Sequence, residues 1–548
     1  MESPYERALS KIGNNGKFQK RFDLLYSIIF GALWIMSYNN IILALTVTPH
    51  TCKLPAKPEN ISEYLWKTRH IPTIEEVGGK IKFSECFIYT SPGNNNTLSE
   101  CSEYSYNTTW YKTTIPSDNN WVCAEELNVA NVFAYSKIGE VIGSFFFGWF
   151  GDVYGRKPTF IISLALLLVG RSLSVLASSS YNLFAIGCII ASFPSWSAVQ
   201  STSVISLEIS SPKRRSTVAK LRLVASSFGM FLMPFVYWWL KSWKAFLIVT
   251  TATQLPYLLM SWKMLESPQW LWVNGRTVDC IQQLKIIAKK NKTKLDSNTE
   301  HEIASSPHTA PSKTDVLGPL ALFSGIRLTI ITLLQLLMWI AVSISYTAIL
   351  MSSGEKSDGN PFLEFAWQSL AEIPGFVVAA WLADHIGRRY TGVASCAITT
   401  FVWFIHSFCA TSTLAWIKNG WLSTILVIAN RFSITISYYI INLFNMELYP
   451  TCLRQSGMSL GNVFSGAASA LAPYILFLGR RFGAFYPGVI LGLVSLLGGV
   501  LSSFFLPETL NANLPETTDD ARNFGRRIYS SNSVITKQEE TETDLTLI

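Results

Sequence analysis

The sequence predicts an all-α membrane protein, with twelve transmembrane helices in two six-helix bundles related by pseudo-twofold symmetry. Three observations carry that expectation. The 548 residues are 49% hydrophobic and only 15% charged, with a mean hydropathy of +0.27, whereas soluble domains average about 25% charged residues. Apolar runs near the roughly 20 residues that cross a bilayer recur along the chain. The decapeptide GWFGDVYGRK at 148–157 returns as AWLADHIGRR at 380–389, so that Asp152, Gly155, Arg156 and Lys157 are echoed 232 residues on (152 to 384) by Asp384, Gly387, Arg388 and Arg389.

Each copy closes an apolar stretch with a carboxylate three residues before a Gly-Arg pair. The acid at the helix end can meet guanidinium groups there, and the glycine lets the chain reverse. Other echoes keep a similar interval. Glu208, ahead of Lys213, Arg214 and Arg215, returns as Glu447 ahead of Arg454, 239 residues on (208 to 447). LESPQWL around Glu266 returns as LPETL around Glu508, 242 residues on (266 to 508). The repeating unit is therefore six helices.

Residues 1–21 are a polar leader whose Lys17, Lys20 and Arg21 precede a first span over roughly 22–47. That span is too long for a cleaved signal core and lacks a small-residue cleavage site. A polar insert follows over 48–127, then spans over roughly 128–151, 158–178, 181–207, 217–239 and 244–264, completing an N-terminal bundle over 22–264. The connector 265–326 contains the run IIAKKNKTK, expected to form short amphipathic helices at the membrane surface, and a Ser/Thr/Pro-rich stretch, 297–314, expected to be a flexible linker. Spans over roughly 327–351, 361–384, 390–411, 420–446, 456–478 and 484–506 make the C-terminal bundle over 327–506, and 507–548 is a polar tail.

The short connections GDVYGRKP, SSPKRRS and DHIGRRY are densest in Lys and Arg, which places them, both termini, the connector and the tail in the cytoplasm of a plasma-membrane protein. Arg480 and Arg481, on an opposite connection, are an exception. The net charge of +8 then reflects topology and contact with anionic lipid, not nucleic acid. The insert holds Cys52, Cys86, Cys101 and Cys123, four of the nine cysteines. Outside the cell they form two disulfides, with all three pairings open. Sequons at Asn60, Asn95 and Asn107 add glycosylation to the same segment. The ending Thr546-Leu547-Ile548 has the Thr-x-apolar form of a PDZ-domain ligand.

No catalytic constellation competes with a carrier. The six histidines are scattered without metal-ligand spacing, and no GxxxxGK[ST] loop cradles a nucleotide. Neither enzyme activity nor a cofactor or metal is expected.

With its Cys-bearing insert and the runs SDNNWVCAEEL, GDVYGRKP, LESPQWL, IGRRY, MELYPTCLRQSG and LPETLNANLPET, nearly the whole chain resembles the organic cation, carnitine and organic anion transporters of the major facilitator superfamily. The resemblance implies the major facilitator fold, two lobes rocking about a central cavity between outward-open and inward-open states. Membrane physics asks for something similar, since a polar substrate must be met near the midplane and reached from each side in turn. The repeated turns then become a cytoplasmic latch. Asp152, Arg156, Asp384, Arg388 and Arg389, with Glu208, Arg214, Glu447 and Arg454, would form an ion-pair lattice holding the outward-open state, with Gly155 and Gly387 at its turns and Lys157 and Arg215 in the same latch. The simpler reading is that the basic residues only set topology.

The chain also departs from that family. Gly466 stands where cation carriers have an acid and anion or carnitine carriers often have Arg; Tyr439 replaces a Glu typical of cation carriers, and Cys188 replaces an Arg. New charges appear instead. Glu140 precedes Asp152 by 12 residues, or roughly 18 Å of helix, near the midplane. With Lys137 it costs at least about 2.5 to 3.5 kcal/mol per charge to bury there. The two can pair with each other across three residues, or Glu140 can meet a substrate amine while Lys137 meets a carboxylate. Glu372 and Arg431 match family positions; Arg171 does not. Tyr346 matches a cavity aromatic of the family, with Trp196, Trp339, Trp367, Tyr438 and Tyr439 as further candidates, because aromatic faces attract ammonium groups by about 0.5 to 2 kcal/mol.

The expected function is alternating-access transport of small organic ions, amines or carnitine-like zwitterions. An organic anion carrier of the same family and a non-transporting receptor or scaffold are the alternatives. A sugar porter is disfavoured because the seventh span, LLQLLMWIAVSIS, lacks the QQxSGxN run such porters use for hexose hydroxyls.

Overall fold

The structure, a computed structural model, describes residues 4–76, 80–91, 94–210, 212–305, 319–352, 359–411, 420–450, 453–483 and 485–510. The Thr546-Leu547-Ile548 ending and the side chains of Asn95, Arg215 and Arg454 lie outside the described residues.

Eleven helices among the described residues are long and apolar enough to cross a membrane: Lys17–Ala44, Arg156–Leu176, Tyr181–Glu208, Thr217–Leu240, Trp243–Lys263, Ile326–Ser352, Pro361–His385, Arg388–Thr411, Leu422–Leu448, Ser456–Phe482 and Phe485–Phe505. One more long helix, Leu127–Tyr154, falls in second place, and Lys137 and Glu140 interrupt its apolar run. These twelve are numbered below as spans one to twelve, six to each half of the chain. The ends of spans one and two are set by local chemistry. Span one starts at Lys17, earlier than its apolar run, because Gln19 reaches back to the Gly16 amide. Span two ends at Tyr154 because Gly155 takes φ +106°, outside the helical region.

Small residues allow close crossings between membrane helices. A Cβ placed on Gly170 of span three would lie 2.3 Å from the Ala191 nitrogen of span four. Span four itself turns at Phe193–Trp196, where Pro194 has no amide to donate and Ser195 takes φ +50°.

The insert carries three antiparallel strand pairs: His50–Cys52 with Tyr104–Tyr106, Thr73–Glu76 with Lys80–Phe83, and Phe87–Ser91 with Asn94–Glu100. Of the three pairings open to its cysteines, the structure selects Cys52–Cys101 and Cys86–Cys123. Asn60 and Asn107 are exposed. The Asn107 Oδ1 accepts hydrogen bonds from the Thr109 amide, 2.9 Å, and its Oγ1, 2.6 Å.

The far side of the molecule, where the repeated Gly-Arg turns lie, differs from expectation in the connector. Thr277–Asn291 buries Cys280, Leu284, Ile287 and Ala288, one face of the helix. That face packs on Tyr5, Ala8, Leu9 and Ile12 of the helix Pro4–Ile12, so a protein helix covers the stripe expected to lie on lipid. The first part of the expected linker, Ser297–Ser305, is a third helix in this cap, with Thr299 and Ile303 buried. Asn291 ties the cap to span one: its Nδ2 donates to the carbonyls of Ile12, 3.2 Å, and Gly13, 3.0 Å, and its Oδ1 accepts from the Phe18 amide, 2.9 Å.

Candidate functional site: two repeated turns and a charged central space

Each repeated turn is built around a carboxylate supplied from the end of its own half. Helix N-termini leave amides without intrahelical partners, and an acid there answers both the free donors and the helix dipole. Glu266 accepts from the amides of Arg156, 3.0 Å, and Lys157, 3.1 Å, at the start of span three. Glu508 accepts from those of Arg388, 2.9 Å, and Arg389, 3.0 Å, at the start of span nine. Gly155 and Gly387 have φ +106° and +102°, and a Cβ on either would stand 2.5 Å from the capping carboxylate. Both turns need glycine for the same two reasons.

The equivalence extends outward. Ser267 donates to Glu208, and Thr509 to Glu447. Arg156 pairs with Asp152 at 2.7 Å. Arg388 pairs with Glu447 at 3.2 Å and more loosely with Asp384 at 3.6 Å. The Lys157 Nζ donates to the Trp262 carbonyl, 3.1 Å. Arg214 pairs with an acid of span one. Its Nε donates to Asp23 of span one, 2.9 Å, where the Ser206 hydroxyl also donates, so that spans one, four and five are joined. Among the described residues none of these contacts crosses from one half to the other. The Asp152 and Asp384 side chains are 64% and 69% exposed.

Contacts that do cross lie in the middle of the molecule and on the insert side. Glu126 and Arg480 form an ion pair at 3.0 Å, the Tyr474 hydroxyl donates to Asn131, 2.7 Å, and Phe362 of span eight packs against Tyr111, Tyr237 and Trp238. Among the described residues, the polar contacts that join the halves lie on the insert side and in the middle of the molecule.

In the middle of the molecule the charges gather around Tyr438 of span ten, which lies within electrostatic reach of Glu140, Arg222 and Glu372. Lys137 and Glu140 pair with each other at 2.7 Å. Glu372 accepts from Arg431, 2.6 Å, from the Tyr346 hydroxyl, 3.0 Å, and across the halves from Ser227 of span five, 3.1 Å. The Arg431 guanidinium also lies 4.5 Å from the Tyr346 ring centroid, and Tyr346 stacks on Tyr438 at 6.2 Å. Trp339 meets Tyr438 edge-on at 6.0 Å, and Trp196 approaches Tyr38 of span one at 5.4 Å.

Three of the sequence candidates take other places. Gly466 is no vacancy, because Val141 of span two fills the space and a Cβ at 466 would lie 2.7 Å from it. The glycine lets spans two and eleven touch. Tyr439, one residue and about 100° of helix from Tyr438, has Asp384, Arg388 and Glu447 as its charged neighbours and belongs to the turn side. Trp367 is 55% exposed, on the outward face of span eight with Val377 and Trp381, while Glu372 is buried on another face.

The sequence reading passed over one group, Arg222, and noted another, Arg171, only as lacking a family counterpart. Arg222 of span five donates to Ser203 and forms no ion pair among the described residues. Arg171, buried in span three beside Cys188, donates to the Tyr38 carbonyl at 3.1 Å and leaves its Nε and Nη1 without partners.

The fold and site define a two-half membrane carrier, and the comparisons agree. Residues 86–520 match the family described as sugar (and other) transporter, to which the chain therefore belongs. It is 26% identical over 535 residues to the organic cation transporter protein of Drosophila melanogaster, covering 95% of each chain. To the organic cation/carnitine transporter 2 of Rattus norvegicus it is 24% identical over 545 residues, covering 94% of this chain and 93% of the other. To solute carrier family 22 member 7 of Mus musculus it is 26% identical, covering 96% and 99%. Among solved structures, the inward-open conformation of the xylose transporter XylE from E. coli superposes with a TM-score of 0.59 at 13% identity, covering 93% of this chain and 100% of that one. The chain is thus a membrane transporter with the major facilitator fold, and not an enzyme.

Proposed function

We propose that this chain moves small organic ions, the class named for its relatives, by alternating access across the plasma membrane. The observation that carries the reading is the ring of groups about Tyr438. Two ion pairs, Lys137–Glu140 and Glu372–Arg431, gather with the rings of Tyr346 and Tyr438 where the halves meet, at a depth where ionised side chains are expensive unless they serve a pathway. On the positive-inside expectation the repeated turns are cytoplasmic and the insert is extracellular and glycosylated at Asn60, Asn95 and Asn107. The described contacts then correspond to an inward-open state, closed by Glu126–Arg480 and the Phe362 cluster.

In this reading the exposed Asp152 and Asp384 find cross-half partners among the basic residues of the opposite turn when the carrier opens outward, and Arg215 and Arg454 belong to the same latch. Lys137, Glu140, Tyr346, Glu372, Arg431 and Tyr438 face the substrate. The tail ending Thr546-Leu547-Ile548 is a ligand for a PDZ domain. Reconstituted protein tested by counterflow with labelled cations, zwitterions and anions checks the central statement. Exchange of at least one class is expected; none, from correctly inserted protein, refutes transport and favours a receptor or scaffold.

A further inference from the structure

We infer that Arg222 receives an anionic group of the substrate, so that this carrier takes carboxylate-bearing organic ions, anions or zwitterions, in preference to simple cations. The inference rests on the transporter reading above and narrows it. The two central carboxylates are already committed: Glu140 to Lys137 at 2.7 Å, and Glu372 to Arg431 at 2.6 Å, to Tyr346 and to Ser227. These four charges cancel. Arg222 is left over. Its Nη1 donates to the Ser203 hydroxyl, and no carboxylate lies within ion-pairing distance among the described residues. The space around Tyr438 therefore carries a net positive charge, and the unpaired buried Arg171 behind Tyr38 adds to it.

An ammonium ion entering that space finds no uncommitted acid and a like charge on the wall. A carboxylate finds a guanidinium whose planar donors suit its two oxygens, and it relieves the cost of an uncompensated charge at this depth. The position also fits a substrate site. Arg222 lies five residues from Ser227, or about 7.5 Å along span five, on the turn side of the Glu372 cluster. Its stem passes Gly31 of span one, its hydroxyl partner is on span four, and Tyr438 faces it from the opposite half. An anion held there touches both halves. Tyr438 is in turn flanked by the rings of Trp339, 6.0 Å, and Tyr346, 6.2 Å, so the cationic end of a zwitterion can rest on aromatic faces without a free acid.

The test uses the purified full chain and three probes: benzoate, trimethylammonioacetate and tetraethylammonium. Binding is read as ligand-induced thermal stabilisation, and transport as counterflow of the same labelled compounds. The expected result is stabilisation and exchange with at least one of the two carboxylates and none with tetraethylammonium. Arg222→Gln should lower carboxylate affinity ten- to a hundredfold, the scale of a lost charge-assisted hydrogen bond, and Arg222→Lys should recover part of it. If Arg222→Gln fails to fold, the Arg222→Lys affinity, expected three- to tenfold below wild type, decides instead. Engagement of tetraethylammonium alone, binding of neither carboxylate, or unchanged affinity in both variants overturns the inference. Tetraethylammonium exchange would leave the transporter reading standing, whereas binding without counterflow of any probe would overturn transport and leave the binding result to judge Arg222.

Discussion

Replacing Gly155 by alanine should destabilise the start of span three through two effects that can be separated. The backbone there has φ +106° and ψ 170°, a region that only glycine occupies readily and that costs another residue about 1 to 3 kcal/mol. The added Cβ would stand 2.5 Å from Glu266 Oε2 and 3.3 Å from the Trp270 ring, so the carboxylate must leave the amides of Arg156 and Lys157. Losing such a helix cap costs about 0.5 to 2 kcal/mol. The sum, roughly 1.5 to 5 kcal/mol, should appear as a clear fall in melting temperature of detergent-solubilised protein, followed by fluorescence-detected size exclusion. Gly148→Ala is the control, because a Cβ there meets nothing within 4 Å and the residue is helical. Glu266→Gln alone should show only the smaller capping loss. Combined with Gly155→Ala it should add little, since both act on the same cap. Equal melting temperatures for Gly155→Ala and Gly148→Ala would refute the argument, and full additivity with Glu266→Gln would refute its capping half.

Further expectations follow from single contacts. Arg480→Glu breaks the Glu126 pair that helps close the insert side; partly exposed pairs contribute about 0.2 to 1 kcal/mol, so the open fraction on that side should rise up to about fivefold, read by thiol labelling, and Glu126→Arg should restore it. Burial pushes the Cys280 thiol up to about 12, so at pH 8 it stays protonated and should resist maleimide, whereas Leu9→Asp, which disrupts the covering helix, should make it reactive; reaction at the wild-type site would contradict the packing of the cap. Asn107→Gln and Asn60→Gln should each remove one glycan-sized step in gel mobility from protein made in a secretory host, and no shift for either would place the insert away from the secretory lumen.

Much of the turn chemistry was legible because it is local and repeated. Glu266 and Glu508, recognised as echoes at a fixed interval, do the same work at the starts of spans three and nine, and the nearby glycines serve the same conformation. What lay outside local sequence was partnership. Asp23 is about 190 residues from Arg214, too distant for spacing to suggest the pair. Arg222 sat five residues inside an apolar run, close enough to Lys213, Arg214 and Arg215 to be absorbed into the topology signal. Tyr438 and Tyr439 are neighbours in sequence and about 100° apart on the helix, so only one meets the central charges.

By itself the sequence determined the class of fold. Hydrophobic length is dictated by the bilayer, and duplication is written as recurring motifs; both are properties of the chain in order. The tertiary structure decided which charges are already satisfied. A missing side chain at Gly466 becomes a site only if nothing else fills the volume, and Val141 does; Lys137 and Glu140 become substrate ligands only if they are not spent on each other. Electrostatic balance is set by distances across helices from both halves, and among the described residues it left Arg222 as a charge without a counterion.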